Sequence, residues 1–221
     1  GNIANCMGCY GLERKYFRKE QIIIDKALDL YNVQFLMRYL KDSNSNRFLG
    51  DIGVGFYNMT FLKKVTLKGT LSVDIKNSTF QKPVVIGNVS NEELLKINTY
   101  FEENINTKNM TFQDMYINDN NFKSSFSLNV QIFSQTDTIL KIFTEIQGNV
   151  FGGKKAFIGT AKIRNFILQN NTFNSTIYST IVASDNRTTN IIKNTFIKNT
   201  RFSTGNDGQT ITLNITENTF N

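Results

Sequence analysis

Histidine and tryptophan are missing from this 221-residue chain, proline occurs once and cysteine twice. Each scarcity removes something. Without imidazole there is no Ser-His-Asp or Cys-His nucleophile system and no imidazole-ligated zinc. An enzyme here would have to work with carboxylates, Lys, Arg, Tyr or a hydroxyl. The two cysteines, Cys6 and Cys9, form a single C-x-x-C. Tetrahedral zinc needs four ligands, and no further Cys or His supplies them. A local disulfide, acylation or a pair of free thiols stay open for Cys6 and Cys9. Apolar runs fall far short of the roughly 18 residues of a spanning helix, and no basic-then-apolar leader opens the chain. No cofactor and no metal site are expected from these residue types.

What the chain has in excess is 30 Asn, 23 Thr and 19 Phe. Lys plus Arg number 25 against 18 Asp plus Glu, a formal charge of +7 that permits an anionic partner without choosing one. Basic and acidic residues alternate along the sequence and no helix-turn-helix or zinc pattern occurs, so nucleic acid is disfavoured as a partner.

The texture changes along the chain. In residues 13–42, Ile24, Leu28, Tyr31 and Phe35 recur at helical spacing behind the basic cluster Arg14, Lys15, Arg18 and Lys19. This predicts an amphipathic helix within an N-terminal segment 1–45, capping one end of a β domain 46–221. From about residue 50 the chain repeats. With Phe as reference, the residue five earlier is apolar in Phe56/Phe61, Ile75/Phe80, Ile117/Phe122, Ile146/Phe151, Leu168/Phe173, Ile191/Phe196 and Ile215/Phe220. Asn stands two earlier in the last five, at Asn120, Asn149, Asn171, Asn194 and Asn218. In the first two it stands three earlier, at Asn58 and Asn77. The intervals between reference residues are 19, 42, 29, 22, 23 and 24.

The near-constant final intervals, 22 to 24, suit stacked coils, each strand pairing with its equivalent one coil on. Phe and Ile then stack inward. Asn suits the bend, because its amide donates and accepts and its backbone tolerates left-handed angles. The long interval carries the capping-box pattern Ser90-Asn-Glu-Glu93, followed by Leu94, Ile97, Phe101 and Ile105 at helical spacing. An inserted helix at about 91–104 is therefore expected, in preference to a further coil ending at Tyr100.

The stretches N-F-I-L-Q-N-N-T-F-N at 165–174, N-I-I-K-N-T-F-I-K-N-T at 190–200 and L-N-I-T-E-N-T-F-N at 213–221 resemble the right-handed parallel β-helix repeats of the pectate-lyase-like superfamily. The resemblance is good over about 110–221, fair over 50–82 and absent over 1–45. It implies a mainly β fold, a right-handed parallel β-helix of about seven coils. Such repeats occur in polysaccharide lyases and hydrolases, phage spikes, adhesins and large surface proteins of protists. The Asn, Lys, Ile and Phe excess suits an AT-rich genome such as a ciliate's, so a fragment of a protist surface protein is one reading.

Members that cut acidic polysaccharides use clustered aspartates, or calcium-binding acids with an Arg or Lys base. Here the acids are scattered. Asp114 and Asp119 flank one coil, Asp185 and Asp207 sit in polar turns, and Glu92/Glu93 and Glu102/Glu103 fall on the expected inserted helix. Arg164 has no acidic companion nearby in sequence. Two carboxylates converging on one bond are what general acid and base roles require. No catalytic residue is therefore assigned, and the expectation is a non-catalytic structural or adhesive module of a surface or filamentous assembly. A polysaccharide-active enzyme is the alternative, decided by whether Asp114, Asp119 and Arg164 share one groove.

Sequons occur at Asn58, Asn77, Asn88, Asn109, Asn170, Asn174, Asn186 and Asn214. On an exported chain several would be glycan acceptors; equally, the N-x-T-F motif generates sequons by itself. The amino terminus supports a third reading. Gly1, Cys6, Cys9 and the basic cluster look like a myristoylation site beside palmitoylation sites and a polybasic patch, a two-signal anchor for the cytoplasmic face of a membrane. Asn5 departs from the preferred Ser or Thr of that signal. The chain stops inside a coil motif at Asn221, so either a longer polypeptide continues it, or the open end stacks end to end on another subunit. On the fragment reading, Cys6 and Cys9 belong to a preceding Cys-rich module. A glycan ligand along one flank is the other expected partner, and a membrane tether follows from the acylation reading.

Overall fold

A computed structural model describes residues 22–31, 53–69, 72–87, 90, 92, 95, 115–131, 143–161, 165–183, 188–206 and 212–221. Among them the chain is mainly β, in three parallel sheets of seven, eight and seven strands. Each complete coil contributes one strand to each sheet in fixed order, giving the arrangement of a parallel β-helix. In the coil that starts at Asn165, the strands are Asn165–Gln169 on face 1, Thr172–Phe173 on face 2 and Thr176–Ala183 on face 3. The next coil repeats this as Thr188–Ile192, Thr195–Phe196 and Thr200–Asn206. All pairings between successive coils are parallel and in register; Ile167, for example, sits beside Asn190, and Phe173 beside Phe196.

The seven reference phenylalanines share one column. Phe61, Phe80, Phe122, Phe151, Phe173, Phe196 and Phe220 are lateral neighbours in that order. Their rings stack nearly parallel at centroid distances of 4.9, 5.0, 5.1, 4.6, 5.2 and 5.0 Å. Offset stacking at this separation adds to the burial of each ring. The residues five earlier, Phe56, Ile75, Ile117, Ile146, Leu168, Ile191 and Ile215, form the facing column on face 1. All but Ile215 and Phe220, in the last coil, are buried among these two columns. Face 3 closes the core with Leu67, Ile86, Leu128 and Ile158.

The corner between faces 1 and 2 turns through a single left-handed residue. Asn58, Asn77, Asp119, Gly148, Asn170, Lys193 and Glu217 have φ of 54°, 52°, 58°, 70°, 54°, 56° and 57°. Asn, Asp and Gly are the residues that enter this region at least cost. The next position forms a ladder: Met59, Ser78, Asn120, Asn149, Asn171, Asn194, Asn218. Asn58 and Asn77 are therefore turn residues, one place before the ladder, which explains why they stand three rather than two before their Phe.

Two sequence expectations meet the structure here, and the first is overturned. Ile22–Ile24 and Leu28–Tyr31 are strands, not part of a capping helix. They pair with Met59–Phe61 and Val65–Lys68. Ile24, Leu28 and Tyr31, which read as one helical face, lie in two short strands joined at Asp25-Lys26-Ala27, and Phe35 lies outside the described residues. The β-branched triplet Ile22-Ile23-Ile24 favours the strand, and the neighbouring coil supplies its hydrogen bonds. The second concerns the long interval. Ser72–Lys76 pairs directly with Met115–Asn118, and Val84–Gly87 with Phe126–Gln131. No coil ending at Tyr100 separates them, so 88–114 is an insertion between adjacent coils. Of the segment 91–104, in which a helix is expected, only Glu92 and Leu95 are described. The remainder lies outside the described residues, as do Gly1, Cys6, Cys9 and the basic cluster at 14–19.

Candidate functional site

The buried polar chemistry of the molecule is concentrated in the asparagine ladder. Asn171 shows the full pattern. Its Oδ1 accepts from the backbone N–H of Asn149 at 2.9 Å and from Asn149 Nδ2 at 3.0 Å. Its own Nδ2 donates to the Ile146 carbonyl at 2.8 Å and to Asn194 Oδ1 at 3.0 Å. Asn149 and Asn194 repeat the scheme, and Asn120 does so on its donor side while its Oδ1 accepts from the Ser78 N–H. Each amide thus bridges coils, and each is 1–2% exposed in Asn120, Asn149, Asn171 and Asn194. These groups are consumed by the fold and present nothing to a ligand.

Surface chemistry lies on the outward columns. On face 1, Gly55, Asp74, Tyr116, Glu145, Ile167, Asn190 and Asn214 are lateral neighbours. The Tyr57 hydroxyl donates to Asp74 Oδ2, and Asn214 Nδ2 donates to Asn190 Oδ1 at 2.8 Å. Asp74 and Glu145 stand two coils apart with Tyr116 between them, roughly 10 Å at the parallel-strand spacing. That is near the upper end of the separation at which two carboxylates accommodate a water against a glycosidic bond. Sequence reasoning did not single out this column, since its members become neighbours only once coil registry is known. On face 3 the outward column runs Val85, Ser127, Phe157, Tyr178, Arg201. Tyr178 is 44% exposed. A side chain at Gly159 would meet the Phe157 ring, so glycine there lets that ring lie against the sheet.

Of the acids and bases named from the sequence, Glu92 and Asp119 are described; Glu92 is exposed in the insertion, and Asp119 lies at the corner between faces 1 and 2, where its backbone N–H bonds to the Gln147 carbonyl at 2.9 Å. Asp114, Arg164, Asp185, Asp207, Glu93, Glu102 and Glu103 lie outside the described residues, so their convergence is not described. Among the sequons, Asn77, Asn170, Asn174 and Asn214 are exposed and Asn58 is half-buried. Asn88, Asn109 and Asn186 lie outside the described residues. Among the described residues no group of three or more His, Cys, Asp or Glu is placed to hold a metal, and no helix is long and apolar enough to cross a membrane.

The registry and ladders define the class: a repeat protein with parallel β-helix stacking. Comparison with family models, curated proteins and solved structures finds no match.

Proposed function

We propose that this chain is a non-catalytic structural or adhesive module, a right-handed parallel β-helix of the pectate-lyase-like kind, serving a surface or filamentous assembly. One observation carries the reading: the residues in greatest excess, Asn and Phe, form continuous inter-coil ladders. The composition is thereby accounted for by rigidity along one axis. A rod of this kind offers partners a repeating flank, whether other subunits stacked end to end or a glycan lying along the coils. The inserted helix at 91–104 belongs to this reading as a projection from the rod. Location at the cell surface, with glycans on sequons such as Asn77, Asn170 and Asn174, goes with it.

The test is incubation of the full chain with a panel of neutral and acidic polysaccharides, reading both retention and products. Retention without new reducing ends or unsaturated products supports the module. Product release overturns it in favour of a polysaccharide-active enzyme. The observation behind that second reading is the Asp74, Tyr116, Glu145 column, and D74N and E145Q would then each abolish turnover. Intact mass of the natural chain decides location. Heterogeneous hexose-bearing forms support export, whereas a single acyl increment on Gly1 places the chain at the cytoplasmic face.

A further inference from the structure

The fold sorts charges that the sequence intermingles. Where each coil turns from face 2 to face 3, the first inward residues of face 3 are Leu28, Val65, Val84, Phe126, Ala156, Ile177 and Thr200, lateral neighbours in that order. Two residues before each stand Lys26, Lys63, Lys82, Ser124, Lys154, Ser175 and Lys198. Lys64, Lys123 and Lys155 adjoin the same line. All eight lysines are exposed, and Asp25 is the one acid described at this corner. From Lys26 to Lys198 is six coil steps, about 29 Å at a strand spacing of ~4.8 Å.

The fold does not require this line. Ser124 and Ser175 occupy the same register position, Ser175 buried with its hydroxyl donating to the Phe151 carbonyl, so the turn is also made without a cation. Lys26, Lys63 and Lys82 are aligned at the bends of three successive coils, where stacked like charges repel one another. A cost without a structural return points to a ligand. Apart from Asp25, the described acids lie elsewhere: Asp74 and Glu145 on face 1, Asp119 and Glu217 at the far corner of face 2, Asp29 on face 3 and Glu92 in the insertion.

The neighbouring surface identifies the partner. The strands of face 2 contain no charged residue. Its outward column is Ile23, Thr60, Thr79, Asn121, Val150, Thr172, Thr195 and Thr219. Ile23, Val150 and the adjacent Ile197 are 64%, 43% and 42% exposed. A nucleic-acid strand would be served by a run of outward aromatic rings for its bases; face 3 carries two, Phe157 and Tyr178 in adjacent coils, whereas the phenylalanines of face 2 turn inward. An uncharged, hydroxyl-rich face with exposed aliphatic side chains and a cationic border is instead the layout that settles on an anionic bilayer.

We propose that the lysine line and face 2 form a docking surface for an anionic phospholipid membrane, with the β-helix axis lying along the bilayer. The inference is independent of the scaffold reading, and it gives the acylated-anchor alternative a second contact.

The experiment is co-sedimentation of the full, unacylated chain with phosphatidylcholine vesicles containing or lacking phosphatidylserine. Partition onto the anionic vesicles alone is expected, and it is lost in high salt because exposed charges are screened. K26Q/K63Q/K82Q should lower that partition on the order of a hundredfold. K26R/K63R/K82R should preserve it, and so should K68Q/K76Q/K193Q, which removes the same charge elsewhere. Thermal melting of each variant checks that the exposed substitutions leave the fold intact. Equal loss in both glutamine triplets would reduce the effect to net charge and overturn the proposal. Unchanged binding by K26Q/K63Q/K82Q would overturn it as well. So would failure to bind anionic vesicles together with lysine-dependent binding of single-stranded RNA.

Discussion

The coils before Asn120 and those from Asn120 onward share one aromatic stack but not one polar ladder. Phe61 stacks on Phe80 at 4.9 Å as Phe173 does on Phe196 at 5.2 Å. Yet the corner position beside these rings is Met59 and Ser78 in the earlier coils and asparagine in the later ones. Ring stacking asks only for registry. An amide ladder asks for the right side chain on every rung, since each amide completes its neighbour's bonds. Ser78 is the adaptor: its Oγ accepts from the Met59 N–H at 3.2 Å and donates to the Lys76 carbonyl at 3.1 Å. Its own N–H donates to Asn120 Oδ1 at 2.9 Å. The earlier coils thus replace a propagating network with a local one.

Breaking a middle rung tests the difference most severely. Asn171→Ala strips the acceptor from the Asn149 N–H and amide, and the donor from the Ile146 carbonyl. Leaving three buried groups each short of a partner, together with the void, is expected to cost about 3–5 kcal/mol. The measurement is urea unfolding of the full chain. Ser78→Ala removes one acceptor from the buried Met59 N–H and is expected to cost about 1–2 kcal/mol. Equal losses in the two variants would show that the amide ladder has no special standing over the serine substitute.

Much of this architecture was legible in the sequence because Phe and Asn recur at fixed offsets, and fixed offsets become columns when coils stack. The N-terminal strands were misread because Ile24, Leu28 and Tyr31 are spaced as on a helix. A strand-turn-strand that places Ile24 and Leu28 in its apolar interior produces the same spacing. Registry, not residue type, hid the surface features. Asp74 and Glu145 are distant in sequence and two coils apart in space, while Lys26, Lys63 and Lys82 read as scattered turn residues until their coils are aligned. The site remained illegible for that reason: its members are made neighbours by the length of each connection, including the insertion at 88–114.

The left-handed corner offers a smaller and opposite effect. Lys193, at φ 56°, occupies the position that Gly148 and Asn170 fill in neighbouring coils. An L-residue other than Asn or Asp is penalised there, while glycine carries only its greater chain entropy. Its ion pair with Glu217, 3.7 Å apart on an exposed corner, contributes little in water. Lys193→Gly is expected to stabilise by about 0.5–1 kcal/mol, read as a higher urea midpoint at unchanged slope. A loss of stability would mean that the corner is held by the lysine side chain rather than by backbone conformation.

The distinction between the two regions turns on whether a buried polar group is paired, and Thr144 isolates that variable inside the later coils. It is fully buried on face 1, between Met115 and Phe166 in the adjacent strands, and its hydroxyl has no hydrogen-bond partner among the described residues. Valine has the same branched shape and a strong preference for strands, so Thr144→Val exchanges an unpaired hydroxyl for a methyl without altering the backbone. Removing an unsatisfied buried group is expected to stabilise by a few tenths to about 1 kcal/mol. For a chain of this size that raises the melting temperature by roughly 1–4 °C. Set against Asn171→Ala, the two substitutions delete buried polar atoms from neighbouring coils and shift stability in opposite directions. A lower melting temperature for Thr144→Val would show that the hydroxyl is bonded in solution, and that pairing does not separate the ladder from the rest of the core.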